Sequence, residues 1–240
     1  SNLQDEIEYL EKNISGGNVS CNCSSLDYRI STVEEKIENI GSYTIIVYKD
    51  DTNIYAKDAS GNIIAQGDAN TDDVAVIQAA IDELPADGGA VILAAGRYHI
   101  TQSINLRSFV SFSGYGFSTV LYVPSFTNPS YLPIIKMDGC TYSSIFNLKI
   151  DGNRDNQNSG REDGIYIKDG DHCKIINTWI CNIYGTEGNG IYVKGIPKDF
   201  LIQGNIISNI QDDGLDINGM IKSQIISNNI HDCGDNGIDT

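Results

Sequence analysis

Four residues with chemical potential recur at one position of a repeated unit. Tyr166, Tyr192, Asp216 and Asp239 each lie two residues after a glycine, in DGIYIKDG (163–170), NGIYVKGI (189–196), DGLDINGM (213–220) and NGIDT (236–240). The two tyrosines offer flat apolar faces that end in a hydroxyl, a surface suited to sugar rings. Lys168 and Lys194 lie two positions further on and suit acidic sugars. On adjacent strands Asp216 and Asp239 would face each other. A carboxylate pair roughly 5–5.5 Å apart suits a retaining glycosidase, and a wider pair suits inversion. Like charges at that spacing raise one pKa unless the side chains splay or a cation intervenes. Asp213 is a third catalytic candidate, and Asp212, Asp232 and Asp235 add local acidity. A structural role competes for Asp213, because Asp163, Asn189 and Asn236 also precede glycines, a favoured turn position. Plain β-propensity on a solvent-facing row competes for the tyrosines.

A lyase would need calcium and a base to abstract a proton. Arg154 and Arg161 lie on the loop DGNRDNQNSGRED (151–163) with Asp151, Asp155, Glu162 and Asp163. Nothing in their spacing specifies that chemistry, so the segment reads as a solvated loop. Ser-His-Asp catalysis and phosphate-cradling loops have no support.

The elements that position these residues follow from the repeat. Gly164, Gly190, Gly214 and Gly237 are spaced 26, 24 and 23 residues apart, and between them recur KIINTWI (174–180), LIQGNII (201–207) and QIISNNI (224–230), with a looser copy in SIFNLKI (144–150). A period in the twenties with short strands marks a solenoid, in which each coil buries its apolar face only against its neighbours. Alternation points Ile165, Ile167, Ile191, Val193, Leu215, Ile217 and Ile238 inward, and the residues between them outward. The outward strip of four then spans about 15 Å at a strand spacing of roughly 4.8 Å. Asn205 and Asn229, 24 residues apart, are expected to stack at an inner turn and satisfy buried backbone groups. The fold class is all-β, a right-handed parallel β-helix.

The segment DANTDDVAVIQAAIDELPADGGAVILAAGRYHIT (68–101) resembles the start of the pectate-lyase-like β-helix superfamily, through Asp72-Asp73, Ile77-Gln78-Ala79-Ala80-Ile81, Gly88-Gly89 and Gly96-Arg97-Tyr98. LKIDGN (148–153) and the glycine repeats extend the resemblance to the C-terminus. It implies a helix capping the N-terminal end of the solenoid, and a fold shared by lyases, glycoside hydrolases, viral tailspikes and adhesins. Polygalacturonase-like relatives carry several aspartates on such a face, with a His and an Arg-x-Lys motif. His231 would stand for the histidine, and no Arg-x-Lys occurs here.

Upstream the chain changes character. Leu3, Ile7, Leu10 and Ile14, then Leu26, Ile30, Val33, Ile37 and Ile40, keep heptad spacing with Glu and Lys between them. β-Branched residues at both a and d favour three or more strands. Residues 1–41 are therefore expected to form a coiled coil in a homotrimer, the alternative being an intrachain helical hairpin. Asn13, Asn18 and Asn22 each begin a glycosylation motif, which would place the interrupting segment outside a cell. Residues 42–70 read as a small β-hairpin connector with its turn at Asp58–Gly61. Residues 71–240 form the β-helix, opening with a helix whose stripe is Val74, Ile77, Ile81 and Leu84, capped by Thr71 or Asp72.

The formal net charge of −16 argues against a nucleic-acid backbone and against an anionic membrane as partner. No run approaches the ~20 apolar residues of a membrane span. The N-terminus SNLQDEIEYL shows no signal peptide, and the chain stops within a repeat, so it reads as part of a longer protein. Of the six cysteines, Cys21 and Cys23 suit interchain bridges, while Cys173 and Cys181 suit buried packing. The expected function is an extracellular trimeric spike or fibre, on a virion or cell surface, presenting a glycan-facing surface. A secreted polysaccharide lyase or hydrolase is the second reading, and a non-catalytic adhesin the third. No cofactor is required by the first or third, and calcium belongs to the lyase form of the second.

Overall fold

The computed structural model describes residues 43–240. The heptads, the expected trimer contacts, Cys21, Cys23 and the three glycosylation motifs lie outside them.

The chain winds through three sheets per coil. The first sheet holds β1 (Thr44–Lys49), β2 (Asn53–Asp58), β3 (Ile63–Asp68), β4 (Gly89–Leu93), β7 (Val110–Gly114), β10 (Ser144–Phe146), β13 (Lys174–Ile176), β16 (Leu201–Gln203) and β19 (Gln224–Ile226). The second holds β5 (Gly96–His99), β8 (Thr119–Tyr122), β11 (Lys149–Asp151), β14 (Trp179–Ile183), β17 (Ile206–Ile210) and β20 (Asn229–Cys233). The third holds β6 (Ile104–Leu106), β9 (Leu132–Asp138), β12 (Glu162–Lys168), β15 (Ile191–Lys194), β18 (Leu215–Asn218) and β21 (Ile238–Asp239). From β4 onward every pairing is parallel, one coil to the next.

Stacking explains the regularity. Ile165, Ile167, Ile191, Val193 and Leu215 are fully sealed, and Ile217 nearly so. Each such side chain contributes roughly 1.5–3 kcal/mol on burial, which no coil could collect alone. Ile238 is 47% exposed because no described coil covers it. Cys140, Cys173 and Cys181 are free thiols buried in this packing.

Segment 43–70 is continuous with the solenoid. β1 pairs parallel with β4, Thr44–Val47 against Ala90–Leu93, while β2 and β3 add to its other edge antiparallel. The single α-helix among the described residues, α1 (Asp73–Glu83), packs on β1 to β3, β5 and β6. Its buried face is Val76, Ile77, Ala80 and Ile81, continued by buried Leu84, and Val74 packs partly buried against the same core. The helix begins at Asp73, whose sealed carboxylate binds Lys49 Nζ (2.7 Å) and accepts the His99 N–H (2.6 Å). Asp72 makes no side-chain cap; its Oδ2 accepts the Asp68 N–H instead.

The asparagine stack also differs from the expectation. Asn205 is buried and its Nδ2 donates to Ile175 O and to Asn228 Oδ1, while Asn229 pairs with Ile206 within the second sheet. Coil lengths differ, so equal spacing in sequence placed the partner one residue too late.

Candidate functional site

The third sheet sets the strip in register. Tyr166 pairs with Tyr192, Tyr192 with Asp216 and Asp216 with Asp239. The two rings lie 5.6 Å apart between centroids and tilt by 53°, so each leaves part of a face open. Upstream, Lys136 and Asn105 continue the same row. A parallel outward row holds Asp138, Lys168, Lys194 and Asn218. Asp138 sits 3.4 Å from Lys136 Nζ and 3.6 Å from Lys168 Nζ, whereas Lys194 is exposed and has no ion pair among the described residues. The strip therefore runs from a lysine-bearing end to an acidic end.

Burial raises the Asp216 carboxyl above its ordinary range, with Asp213 and Asp239 adding to the shift and Arg161 opposing it. Asp212 is raised in the same way, by burial and then by Asp213 and Asp235. Asn218 Nδ2 donates to Asp216 Oδ1 at 2.9 Å. Asp213 has different surroundings. It is buried, and its Oδ1 accepts the Asn236 N–H at 2.7 Å. Asp163 Oδ1 accepts the Asn189 N–H, and Asn189 Oδ1 accepts the Asp213 N–H. The residue before each glycine thus ties its coil to the next.

Arg161 is not on a solvated loop. Its guanidinium packs between the rings of Tyr131 (4.9 Å) and Tyr192 (5.3 Å). It is paired with Glu187 at 2.6 Å and lies 3.4 Å from the sealed Asp163, to which Tyr131 also donates at 2.7 Å. Burial is the main force raising Asp163; the hydrogen bonds from Tyr131 and Asn189 and the Arg161 charge oppose it. This clasp fixes the edge of Tyr192 and puts a cation beside the acids. The sequence offers Arg161 only as a basic residue on a solvated loop, and it does not single out Tyr131, Glu187 or Lys136. One signal was present: Arg161 and Glu187 are 26 residues apart, the same interval as Gly164 and Gly190.

The rest of loop 151–163 is also built in. Asn153, Gln157 and Glu162 are buried, and Arg154 Nη1 reaches across two coils to Asn209 Oδ1 (3.0 Å). Both oxygens of Glu162 are sealed without a hydrogen bond, and burial pushes its carboxyl up to about 8. The strip itself is open. A cleft of about 470 Å³ lies beside α1, lined by Thr71, Gln78, Asp82 and Gln102, and touches the row only at Asn105. We place the candidate site on the strip, because the cleft holds no comparable convergence of charged and aromatic groups.

Residues 133–240 match the model of the right-handed beta helix region, and residues 62–132 match that of the rhamnogalacturonase A/epimerase, pectate lyase-like family. No curated protein matches by sequence. Among solved structures, the A-module of a mannuronan C-5 epimerase from Azotobacter vinelandii is similar with a TM-score of 0.53 and 21% identity, over 70% of this chain and 55% of its own. The catalytic domain of an alpha-1,3-glucanase in complex with tetrasaccharides gives 0.57 and 22%, over 66% of this chain and 28% of its own. The Dettilon tailspike protein gives 0.49 and 16%, over 65% and 36%. The chain spans about half of the epimerase module and under a third of the glucanase domain. The two family models, with the likenesses to the epimerase module and the glucanase domain, establish the right-handed parallel β-helix.

Proposed function

From a right-handed β-helix whose first coils are pectate-lyase-like, we propose that the third sheet's outward strip is a glycan-binding surface. The observation that carries this is the single register row Tyr166, Tyr192, Asp216 and Asp239, with Arg161 clamped against Tyr192. Tyrosine faces stack on sugar rings. Lys168, Lys194 and Arg161 suit anionic substituents, so the partner is an acidic polysaccharide or surface glycan. The likeness to a mannuronan epimerase and to a glucanase holding tetrasaccharides supports a polysaccharide partner. The heptads of residues 1–41 support a homotrimeric spike or fibre acting outside the cell, on a virion or cell surface. The acidic surface fits neither a nucleic acid nor insertion into an anionic membrane, and no described helix is long and apolar enough to cross one.

Binding to a panel of acidic polysaccharides tests the strip: Tyr192→Ala should weaken the best binder about tenfold, in line with a lost aromatic platform, and unchanged binding overturns the reading. Mass measurement with and without residues 1–41 tests the spike, and a monomer in both states removes it.

A second reading is cleavage at the acidic end, favoured by the raised Asp216. Asp216 then donates its proton to the departing glycosidic oxygen, and Asp239 attacks the sugar carbon or activates water. Asp213, committed to Asn236, supports the acids by charge. In a lyase form, Asp216 and Asp239 offer the hard oxygen donors that calcium prefers. Product formation that survives Asp216→Asn would exclude this reading.

A further inference from the structure

Away from the strip, the turns joining the third sheet to the first carry a second row. Phe109, Tyr142, His172, Asp199 and Lys222 occupy equivalent positions on successive coils, all with φ between +52° and +64°. Asp171 pairs with Lys198 in a parallel bridge, and the His172 N–H donates to Lys198 O at 3.0 Å. That register sets His172 beside Asp199 across one coil spacing. Tyr142 stacks on the imidazole at 4.7 Å and 17°, and Phe109 stacks on Tyr142 at 5.9 Å. The ring plane is thereby fixed.

One ligand atom each from Asp171, His172 and Asp199 lies within 4.8 Å of the other two. His172 Nδ1 is 2.7 Å from Asp171 Oδ1, yet the two are not aligned as a hydrogen bond. Asp171 Oδ1 is covered by the imidazole and accepts no aligned hydrogen bond, although the Asp171 side chain as a whole is 41% exposed. The Asp199 carboxylate has neither a hydrogen bond nor an ion pair among the described residues, although Lys198 and Lys222 are close in the fold. A carboxylate oxygen without an aligned donor, an imidazole nitrogen against it and the unpaired Asp199 carboxylate are an arrangement that a shared cation resolves. Two ligands at about 2.0–2.2 Å from one tetrahedral ion sit roughly 3.4 Å apart, so His172 Nδ1 and Asp171 Oδ1, now at 2.7 Å, would part slightly around it.

We propose that Asp171, His172 and Asp199 form a binding site for a first-row divalent metal that clips two adjacent coils together. Mixed imidazole and carboxylate donors suit zinc and its neighbours better than calcium. Three protein ligands leave open positions for water, and the turn is exposed enough for the ion to enter. The clip joins residues from two coils, so the metal stabilises the fold by binding the native register alone.

Zinc titration by calorimetry and thermal unfolding tests this, in the full chain carrying Cys21→Ser and Cys23→Ser to remove competing thiols. One equivalent should bind and raise Tm. Asp199→Asn and His172→Ala should each weaken binding by about tenfold or more, as loss of a ligand or its support does. His231→Ala, at the exposed His231–Asp232 pair, should leave it unchanged. Absence of zinc binding, or binding equal in wild type and Asp199→Asn, overturns the proposal. Asp199→Asn keeps the turn conformation accessible, since Asn tolerates positive φ, so its loss of binding is not a loss of folding.

Discussion

Asp213 and Asp216 lie three residues apart on one coil and lead different chemical lives. Asp213 belongs to the row Asp163, Asn189, Asp213 and Asn236 in the turn before the third sheet, where each side chain is available to the next coil's backbone N–H. Asp216 belongs to the row Tyr166, Tyr192, Asp216 and Asp239, which faces outward along the strip. Residue type does not separate them. Burial and hydrogen-bond commitment do: the turn row carries structure, and the strip row is free to meet a ligand. Glu162 lies on the turn side, sealed and unpaired.

Glu162 offers the largest effect. Its carboxyl is held near 8, against an ordinary 4.5, because an unpaired charge in that position is costly. The folded protein therefore keeps a proton that the unfolded chain releases. Stability should be highest below about pH 4.5 as far as this group is concerned, fall as pH rises towards 8, and level off above it. Glu162→Gln should flatten that decline in chemical unfolding followed across the range. A decline of equal slope in the variant would show that Glu162 is not the group responsible.

Backbone contact comes next. A Cβ at Gly190 would lie 2.5 Å from Gly214 O, and one at Gly214 would lie 2.6 Å from Gly237 O. Gly190→Ala should cost about 1–3 kcal/mol or more, the range for overpacking, read as a lower denaturation midpoint. An unchanged midpoint would mean that the coils can move apart.

The two aspartates supply the direct contrast. Asp213→Ala empties a buried site and removes the charge-assisted hydrogen bond to the Asn236 N–H, and should cost about 1–3 kcal/mol. Asp216→Ala should stay within about 0.5 kcal/mol, as surface changes do, while altering binding or turnover. Equal stability losses would erase the distinction between the rows.

How much of this could be read in the residues alone depends on what the signal was. Periodic glycine and alternating Ile165, Ile167, Ile191 and Val193 announced coils and an inward face, because stacking repeats the same demand every turn. The outward row followed from that register. Arg161 could not be read, since its place depends on a fold-back of loop 151–163 that no periodicity describes. Its partner Tyr131 lies 30 residues upstream on another coil. Asn228 was misread as Asn229 because unequal coil lengths shift the turn by one residue. The inward turn of Glu162 gave no signal either, since acidic residues in a loop ordinarily face water. The helix stripe was legible in Ile77, Ile81 and Leu84; what gave no signal was that Asp73, a charged residue, is sealed by Lys49 and the His99 N–H.

The smallest effect is the most discriminating for the strip. Asp216 is raised first by burial, then by Asp213 and Asp239. Asp239→Asn removes one like charge across a single rung and should lower the Asp216 carboxyl towards its ordinary value. Removal of Asp213 should lower it too, but with a stability loss that Asp239→Asn does not share. Carboxyl chemical shifts followed through an acid titration would measure both. An Asp216 titration unmoved by Asp239→Asn would mean that the two side chains splay apart, leaving burial as the dominant cause and denying the pair a shared role in proton transfer. A downward shift confined to Asp216 would show that the register in the third sheet couples the two acids, which the cleavage reading requires and simple glycan binding does not.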